Sequence, residues 1–303
     1  MSESANPRGV RIFSTARRES PGGVALVLEL EERAYDLSEG CLRAGFVADA
    51  VGICTSGWLE PEALDATVER LRLRETEHPL AGESELALPV QKDRVGKILA
   101  LGKNFKEHAA EFGESVPEEL LYFNKLPETL VPHGSTVHIA TWYAGRVDHE
   151  AELAVLIGKR GTSIEPEHAM EHVAGYSVAN DLTARSLQGS DRKKGHPWFR
   201  AKNMDGFCPL GPCLVPRDSL ELADLRVSAR VNGEIRQDAS TRDLVVDVRH
   251  AIAELSRHLT LHPGDLILMG TPAGVGPLVD GDLVLCTVDG IGELATRIER
   301  PMA

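Results

Sequence analysis

Two acidic residues set inside an apolar, β-branched run constrain this chain more than any other feature. The segment Asp148-His149-Glu150-Ala151-Glu152-Leu153-Ala154-Val155-Leu156-Ile157-Gly158 has the composition of a buried strand closed by a glycine. Side chains alternate along a strand, so Glu150 and Glu152 point to the same face. Like charges on a buried face repel, and burying them is costly unless something neutralises them. A divalent cation does so, and carboxylate oxygens select a hard ion, Mg²⁺, Mn²⁺ or Ca²⁺, over the zinc that His and Cys attract. A solvated strand at a sheet edge would carry the same residues without a metal, so the remaining segments decide between the two. One of them is Gly175-Tyr176-Ser177-Val178-Ala179-Asn180-Asp181-Leu182-Thr183-Ala184-Arg185-Ser186-Leu187-Gln188, which reads as strand, turn and short helix. Asp181 falls at the turn, where it can cap the helix or reach a metal at the end of the sheet.

A chain of 303 residues is long enough for one large domain or two. A net charge of −13 without a basic stripe argues against nucleic-acid and anionic-membrane partners. The one basic cluster, Asp191-Arg192-Lys193-Lys194-Gly195-His196-Pro197, reads as an exposed loop that could attract an acidic substrate. Cys41, Cys54, Cys208, Cys213 and Cys286 lack disulfide-like spacing and read as reduced thiols, which implies a cytoplasmic protein. The N-terminus has no apolar core of a signal peptide, and no apolar run is long enough to span a bilayer.

The pattern predicts strands at Val10–Ser14 and Val24–Leu30 and a helical stretch near Glu60–Leu73. A Glu-rich connector, 75–85, follows, so we place a small N-terminal α+β domain at 1–90 and a larger, predominantly β domain at 91–303. Within the latter, Asn232-Gly233 and Asp289-Gly290-Ile291-Gly292 read as hairpin turns. One helix stands out: Val248, Ala251, Ile252, Leu255 and Leu259 form an apolar stripe after an Asp247 N-cap. Strands outnumber helices and do not alternate with them, which argues against a Rossmann fold or TIM barrel and for an α+β class.

Asn104-Phe105-Lys106-Glu107-His108-Ala109-Ala110-Glu111-Phe112-Gly113 directly follows a strand at Lys97–Gly102 and reads as a short capped helix. There His108 and Glu111 share a face, and a carboxylate beside an imidazole suits a general base acting on water. Gly270-Thr271-Pro272-Ala273-Gly274-Val275-Gly276 lacks a P-loop's Lys-Ser/Thr and reads as a close backbone approach to a small ligand.

Taken in order, Gly102–Glu111, Tyr122-Phe123-Asn124-Lys125, Asp148–Gly158, Gly175–Gln188, Lys202–Pro212 and Gly270–Gly276 resemble the motifs of the fumarylacetoacetate hydrolase superfamily. The resemblance implies a β-rich catalytic domain, a homodimer, and a Mg²⁺ or Mn²⁺ ion held by Glu150, Glu152 and Asp181. It also implies that His108 and Glu111 activate water over the substrate. Lys202 and Gln188 match positions that contact substrate oxygens, Thr271 matches one near the substrate's carboxylate, and Lys125 matches a further substrate position. Phe105 stands where many members carry Tyr, and Lys103 replaces a commoner apolar residue.

The implied reaction is hydrolysis of a carbon–carbon bond in a small acidic 2-oxo substrate of the acylpyruvate or fumarylpyruvate type. Water attacks the distal carbonyl and a pyruvate enolate departs, its charge met by the metal and Lys202. The same residues would serve oxaloacetate decarboxylation, or isomerase or lyase chemistry on hydroxydienoates. A non-catalytic metal-binding paralogue would be marked by loss of His108, Glu111 or Lys202, and all three are present.

Overall fold

The antiparallel pairing of Ala151–Ile157 with Val173–Asn180 organises the fold, and every residue of both strands is buried. The computed structural model describes residues 5–17, 23–45, 49–81, 85–107 and 119–300. Burial on both faces explains why Ala151–Ile157 reads as a continuous apolar run rather than an alternating one. Leu153, Val155 and Ile157 pack into one core, whereas Ala154 and Leu156 pack into a second on the opposite face.

These strands lie within a mixed ten-stranded sheet. In spatial order it runs Arg33–Asp36, Val24–Leu30, Arg11–Ala16, Cys208–Pro216, Val173–Asn180, Ala151–Ile157, Leu266–Leu268, Ile98–Gly102 and Leu121–Lys125, with Leu130–Val131 alongside Cys208–Pro216. A five-stranded sheet, Glu234–Ser240, Arg226–Val231, Leu283–Val288, Gly292–Glu299 and Thr136–His138, packs against Ala151–Ile157 and Val173–Asn180. The N-terminal strands extend the large sheet, with Ile12 opposite Leu214. On their side lie the helices Leu37–Arg43, Ala50–Thr55 and Leu64–Leu71, whose Leu37, Val51 and Leu64 join the second core. The result is a predominantly β member of the α+β class, as the pattern predicts.

Local signals hold at the strongest positions. Asn232 and Gly233 both adopt positive φ (51° and 87°) in the hairpin they were expected to form. Asp247 caps Val248–His258, its carboxylate accepting the His250 N–H at 2.9 Å. Two expectations change. The Glu60–Leu73 stretch is helical only over Leu64–Leu71, because Arg72 turns into the left-handed region at φ 48°. The basic cluster is not an exposed loop throughout: 191–193 close the helix Arg185–Lys193, and Asp191 is fully buried against Arg200. Among the described residues no helix is long and apolar enough to cross a membrane.

Two parallel strands, Ile98–Gly102 and Leu266–Leu268, deliver loops to the same end of the sheet. Asn104 ties those loops together. Its Nδ2 donates to the Met269 and Val246 carbonyls at 2.8 and 2.9 Å, and its Oδ1 accepts the Val246 N–H at 2.8 Å.

Candidate metal centre

Strand register brings the three acids together. Asn180 pairs with Ala151 and Ala179 with Glu152, so continuing the ladder by one residue sets Asp181 beside Glu150. The Asp181 N–H donates to the Glu150 carbonyl at 2.8 Å, and the Asn180 side chain accepts the Glu150 N–H at 3.0 Å. One carboxylate oxygen from each of Glu150, Glu152 and Asp181 lies within 4.8 Å of the others, and all three residues are buried. These are the three residues that the sequence reading names as candidate ligands, and their oxygens stand close enough to hold one ion.

Lys202, at the end of the helix Phe199–Lys202, reaches the same point. Its Nζ donates to Glu150 Oε2 at 2.7 Å and to Asp181 Oδ2 at 2.5 Å, and it sits 4.9 Å above the Phe123 ring. Burial opposes the charge on Lys202, but Asp181 and Glu150 outweigh it and raise its pKa above the ordinary lysine value. Lys125 is equally buried and stands behind the acids, outside the cavity lining. Its Nζ donates to the Lys202 carbonyl at 2.5 Å and lies 2.7 Å from Asp181 Oδ1, an ion pair without hydrogen-bond alignment. Its position here supports Asp181 rather than meeting a ligand.

Arg185 links the remaining acids. Its guanidinium bonds Glu150, donates to Asp148 Oδ2 at 2.8 Å, and donates to Gln188 Oε1 at 2.8 Å. Arg146 holds the other side of Asp148. Because an arginine N–H can only donate, the Gln188 oxygen must face Arg185, which leaves the amide N–H groups for the cavity.

Glu152 differs from its neighbours. Glu150 and Asp181 each touch cations, whereas among the described residues Glu152 has no cation in contact and accepts only the Gly270 N–H, at 2.7 Å. Gly270 holds φ +87°, and a Cβ there would come 2.9 Å from Asn104 Cβ, so glycine is needed to turn this N–H inward. Burial, then repulsion from Asp181 and Glu150, lifts the Glu152 pKa well above the usual carboxylate range. Glu152 is therefore the one acid of the three with no cation in contact among the described residues. An all-oxygen donor set with one such acid fits a hard divalent ion.

The acids open onto a cavity of about 230 Å³ whose walls include Leu101, Phe123, Trp198, Gln188, Lys202 and Thr271. Phe123 and Trp198 pack edge to face at 5.5 Å and make one side apolar. Lys103 and Arg192 stand at the rim; burial and the nearby Arg192 charge lower the Lys103 pKa. His108 and Glu111 lie outside the described residues. The structure thus groups Glu150, Glu152, Asp181, Lys202, Gln188 and Thr271, and adds two residues that sequence reasoning passed over: Arg185 and Trp198. Arg185 and Gln188 are three apart on one helix, a spacing that could have flagged the pair.

The cysteines take no part. Burial pushes the Cys208 and Cys213 thiols up to about 12, which keeps both protonated and neither as a ready metal ligand.

A family model, the fumarylacetoacetate (FAA) hydrolase C-terminal domain, matches residues 97–299. Oxaloacetate tautomerase YisK of Bacillus subtilis is 40% identical over 226 residues, covering 71% of this chain and 73% of the relative. Fumarylacetoacetate hydrolase from Exiguobacterium antarcticum superposes with a TM-score of 0.79 at 31% identity, over 96% of this chain and 100% of that one. Fumarylpyruvate hydrolase from Pseudomonas aeruginosa, solved in complex with Mn²⁺ and pyruvate, gives a TM-score of 0.65 at 35% identity, over 68% and 91% of the two chains.

Proposed function

Because the chain belongs to the fumarylacetoacetate hydrolase family, we propose that it is a divalent-metal-dependent enzyme that enolises a small 2-oxo acid. The observation that carries this reading is the convergence of Glu150, Glu152 and Asp181 beside Lys202 on a small cavity. A divalent ion held by the three carboxylates would supply Lewis acidity to the substrate's 2-oxo and carboxylate oxygens. The chain's own groups do the remaining work. Lys202 holds ammonium protons where enolate charge collects, and Gln188 offers amide donors to substrate oxygens. Arg185 fixes the orientation of both Glu150 and Gln188. Phe123 and Trp198 exclude water from one wall, which strengthens these interactions.

The relatives named as oxaloacetate tautomerases favour keto–enol interconversion of a 2-oxo diacid. In that reaction a proton leaves C3 and another arrives at the 2-oxo oxygen, with no net gain or loss. Carbon–carbon hydrolysis of an acylpyruvate is the second reading. It draws on the His108–Glu111 pair in the sequence and on the similarity to fumarylpyruvate hydrolase.

A substrate panel with Mg²⁺ or Mn²⁺ separates them: oxaloacetate tautomerisation and decarboxylation, fumarylpyruvate and acylpyruvate hydrolysis, and isomerisation of 2-hydroxymuconate-type diacids. The first reading expects the fastest turnover on oxaloacetate, surviving in His108→Ala. Dominant hydrolysis that disappears in His108→Ala would select the second. Absence of turnover on every 2-oxo acid with both ions would overturn both.

A further inference from the structure

We infer that Lys103 and Arg192 form a second anchor at the mouth of the cavity, which receives the distal carboxylate of a dicarboxylic 2-oxo acid and so selects diacids over monoacids. The inference rests on the functional reading above, since the metal end must hold the other carboxylate.

The helix Arg185–Lys193 supplies one wall of the cavity. Arg185, Gln188, Gly189 and Arg192 all line it, at the spacing that puts residues on one helical face. That face runs from inside to outside. Arg185 bonds Glu150 at the metal centre and orients Gln188 about one turn on. Arg192 stands a further turn out, roughly 6 Å along the axis. Between them Gly189 has no side chain, and a Cβ there would meet nothing within 4 Å among the described residues. Close packing therefore does not demand a glycine, although one inside a helix is unfavourable. Its effect is to leave the passage from Gln188 to Arg192 open.

Lys103 comes to the same mouth from the end of the strand Ile98–Gly102. It holds φ +58°, a left-handed conformation that glycine adopts at less cost, so a lysine stands there against the backbone preference. Burial lowers its pKa, and Arg192 is close enough for its charge to lower it further. An anion between two such cations relieves their repulsion. Among the described residues lining the cavity the only acids are Glu150 and Glu152, at the metal end. The cavity is thus polarised, with acids inside that suit a cation and cations outside that suit an anion. Lys193 and Lys194, exposed beside Arg192, extend the positive field into solvent in a chain whose net charge is −13. Leu101, Phe123 and Trp198 offer an apolar wall to the carbon chain that joins the two ends of the ligand.

Binding to the Mn²⁺-loaded protein tests this with three probes. Oxalate occupies only the metal end. Malate adds a distal carboxylate, and its 4-amide replaces that carboxylate with a neutral group of the same shape. The wild type is expected to hold malate about tenfold more tightly than the 4-amide. Arg192→Gln and Lys103→Gln should each cut that preference about three- to tenfold and leave oxalate within about twofold, with Arg192→Lys keeping most of it. A wild type that binds oxalate yet does not distinguish malate from its 4-amide would overturn the anchor and leave the functional reading standing. Glutamine variants whose preference for malate matches that of the wild type would do the same. Failure of the Mn²⁺-loaded wild type to bind oxalate would overturn the functional reading itself, and the anchor with it.

Discussion

Replacing Lys202 with methionine keeps most of its apolar stem and removes the charge shared by two buried carboxylates. Glu150 would lose an ion pair at 2.7 Å and Asp181 one at 2.5 Å, leaving Arg185 with the first and Lys125 with the second. Breaking a buried ion pair by deleting one partner costs roughly 3–5 kcal/mol. Titration sets a ceiling, because a carboxylate of the cluster can take up a proton instead. For a group of ordinary pKa near 4, protonation at about pH 7 costs about 4 kcal/mol. The expected loss in metal-free Lys202→Met at neutral pH is therefore about 3–4 kcal/mol. Unfolding entropy for a chain of this size converts that into a fall in Tm on the order of 5 °C. The sign with pH follows. Lys202 holds the raised Glu152 pKa down, so its loss lifts that folded-state pKa further above the unfolded value and the folded variant retains an extra proton. Its penalty is complete above the folded pKa and disappears as pH falls towards the unfolded one. Thermal or urea unfolding of metal-stripped wild type and variant at neutral and mildly acidic pH measures this. A neutral-pH difference below about 1 kcal/mol, or one that does not shrink on acidification, would refute the reasoning.

Other consequences are equally open to measurement. The raised Glu152 pKa means that the metal-free folded protein keeps a proton there beyond the ordinary carboxylate range. Ion binding must expel it, so metal affinity should rise with pH across that window, and calorimetry in buffers of different ionisation enthalpy should register proton release. Glu152→Gln should abolish that release. Arg185→Ala should weaken metal binding about 10- to 100-fold through loss of support for Glu150, without removing a ligand. Glu150→Ala and Asp181→Ala should each lose the ion outright, whereas His108→Ala should bind it as the wild type does, which metal analysis of the purified variants would show.

The acid cluster was legible because strand alternation and ladder register are strict. Two acids spaced by one residue must share a face, whereas Asp181 was expected beside them from the family resemblance, the residues alone leaving it a helix cap or a metal ligand. The hairpin at Asn232-Gly233 and the capped helix Val248–His258 were legible for a similar reason, since each is specified by residues next to one another. Long-range partners were not. Nothing local marks Lys125 as a buried support for Asp181, because that contact depends on a carbonyl at Lys202, far along the chain. Gln237 lies on the half-exposed strand of a hairpin, and its reach to Ala151, His149 and Thr271 appears only once the two sheets pack. In the basic cluster 192–197 are exposed as their charge suggests, and what the sequence hid is that Arg200 pairs with Asp191 and lets that one acid be buried at the end of the helix.

Three buried carboxylates converge closely enough to hold one divalent ion, and Glu152 alone among them has no cation in contact among the described residues. Titrating Mn²⁺ against wild type, Glu150→Ala, Glu152→Ala and Asp181→Ala, with free ion read by electron paramagnetic resonance, addresses it most directly. The account predicts one tightly held ion per wild-type chain and loss of that ion in every folded variant. A wild type that holds no ion, or alanine variants that hold it equally well, would contradict it.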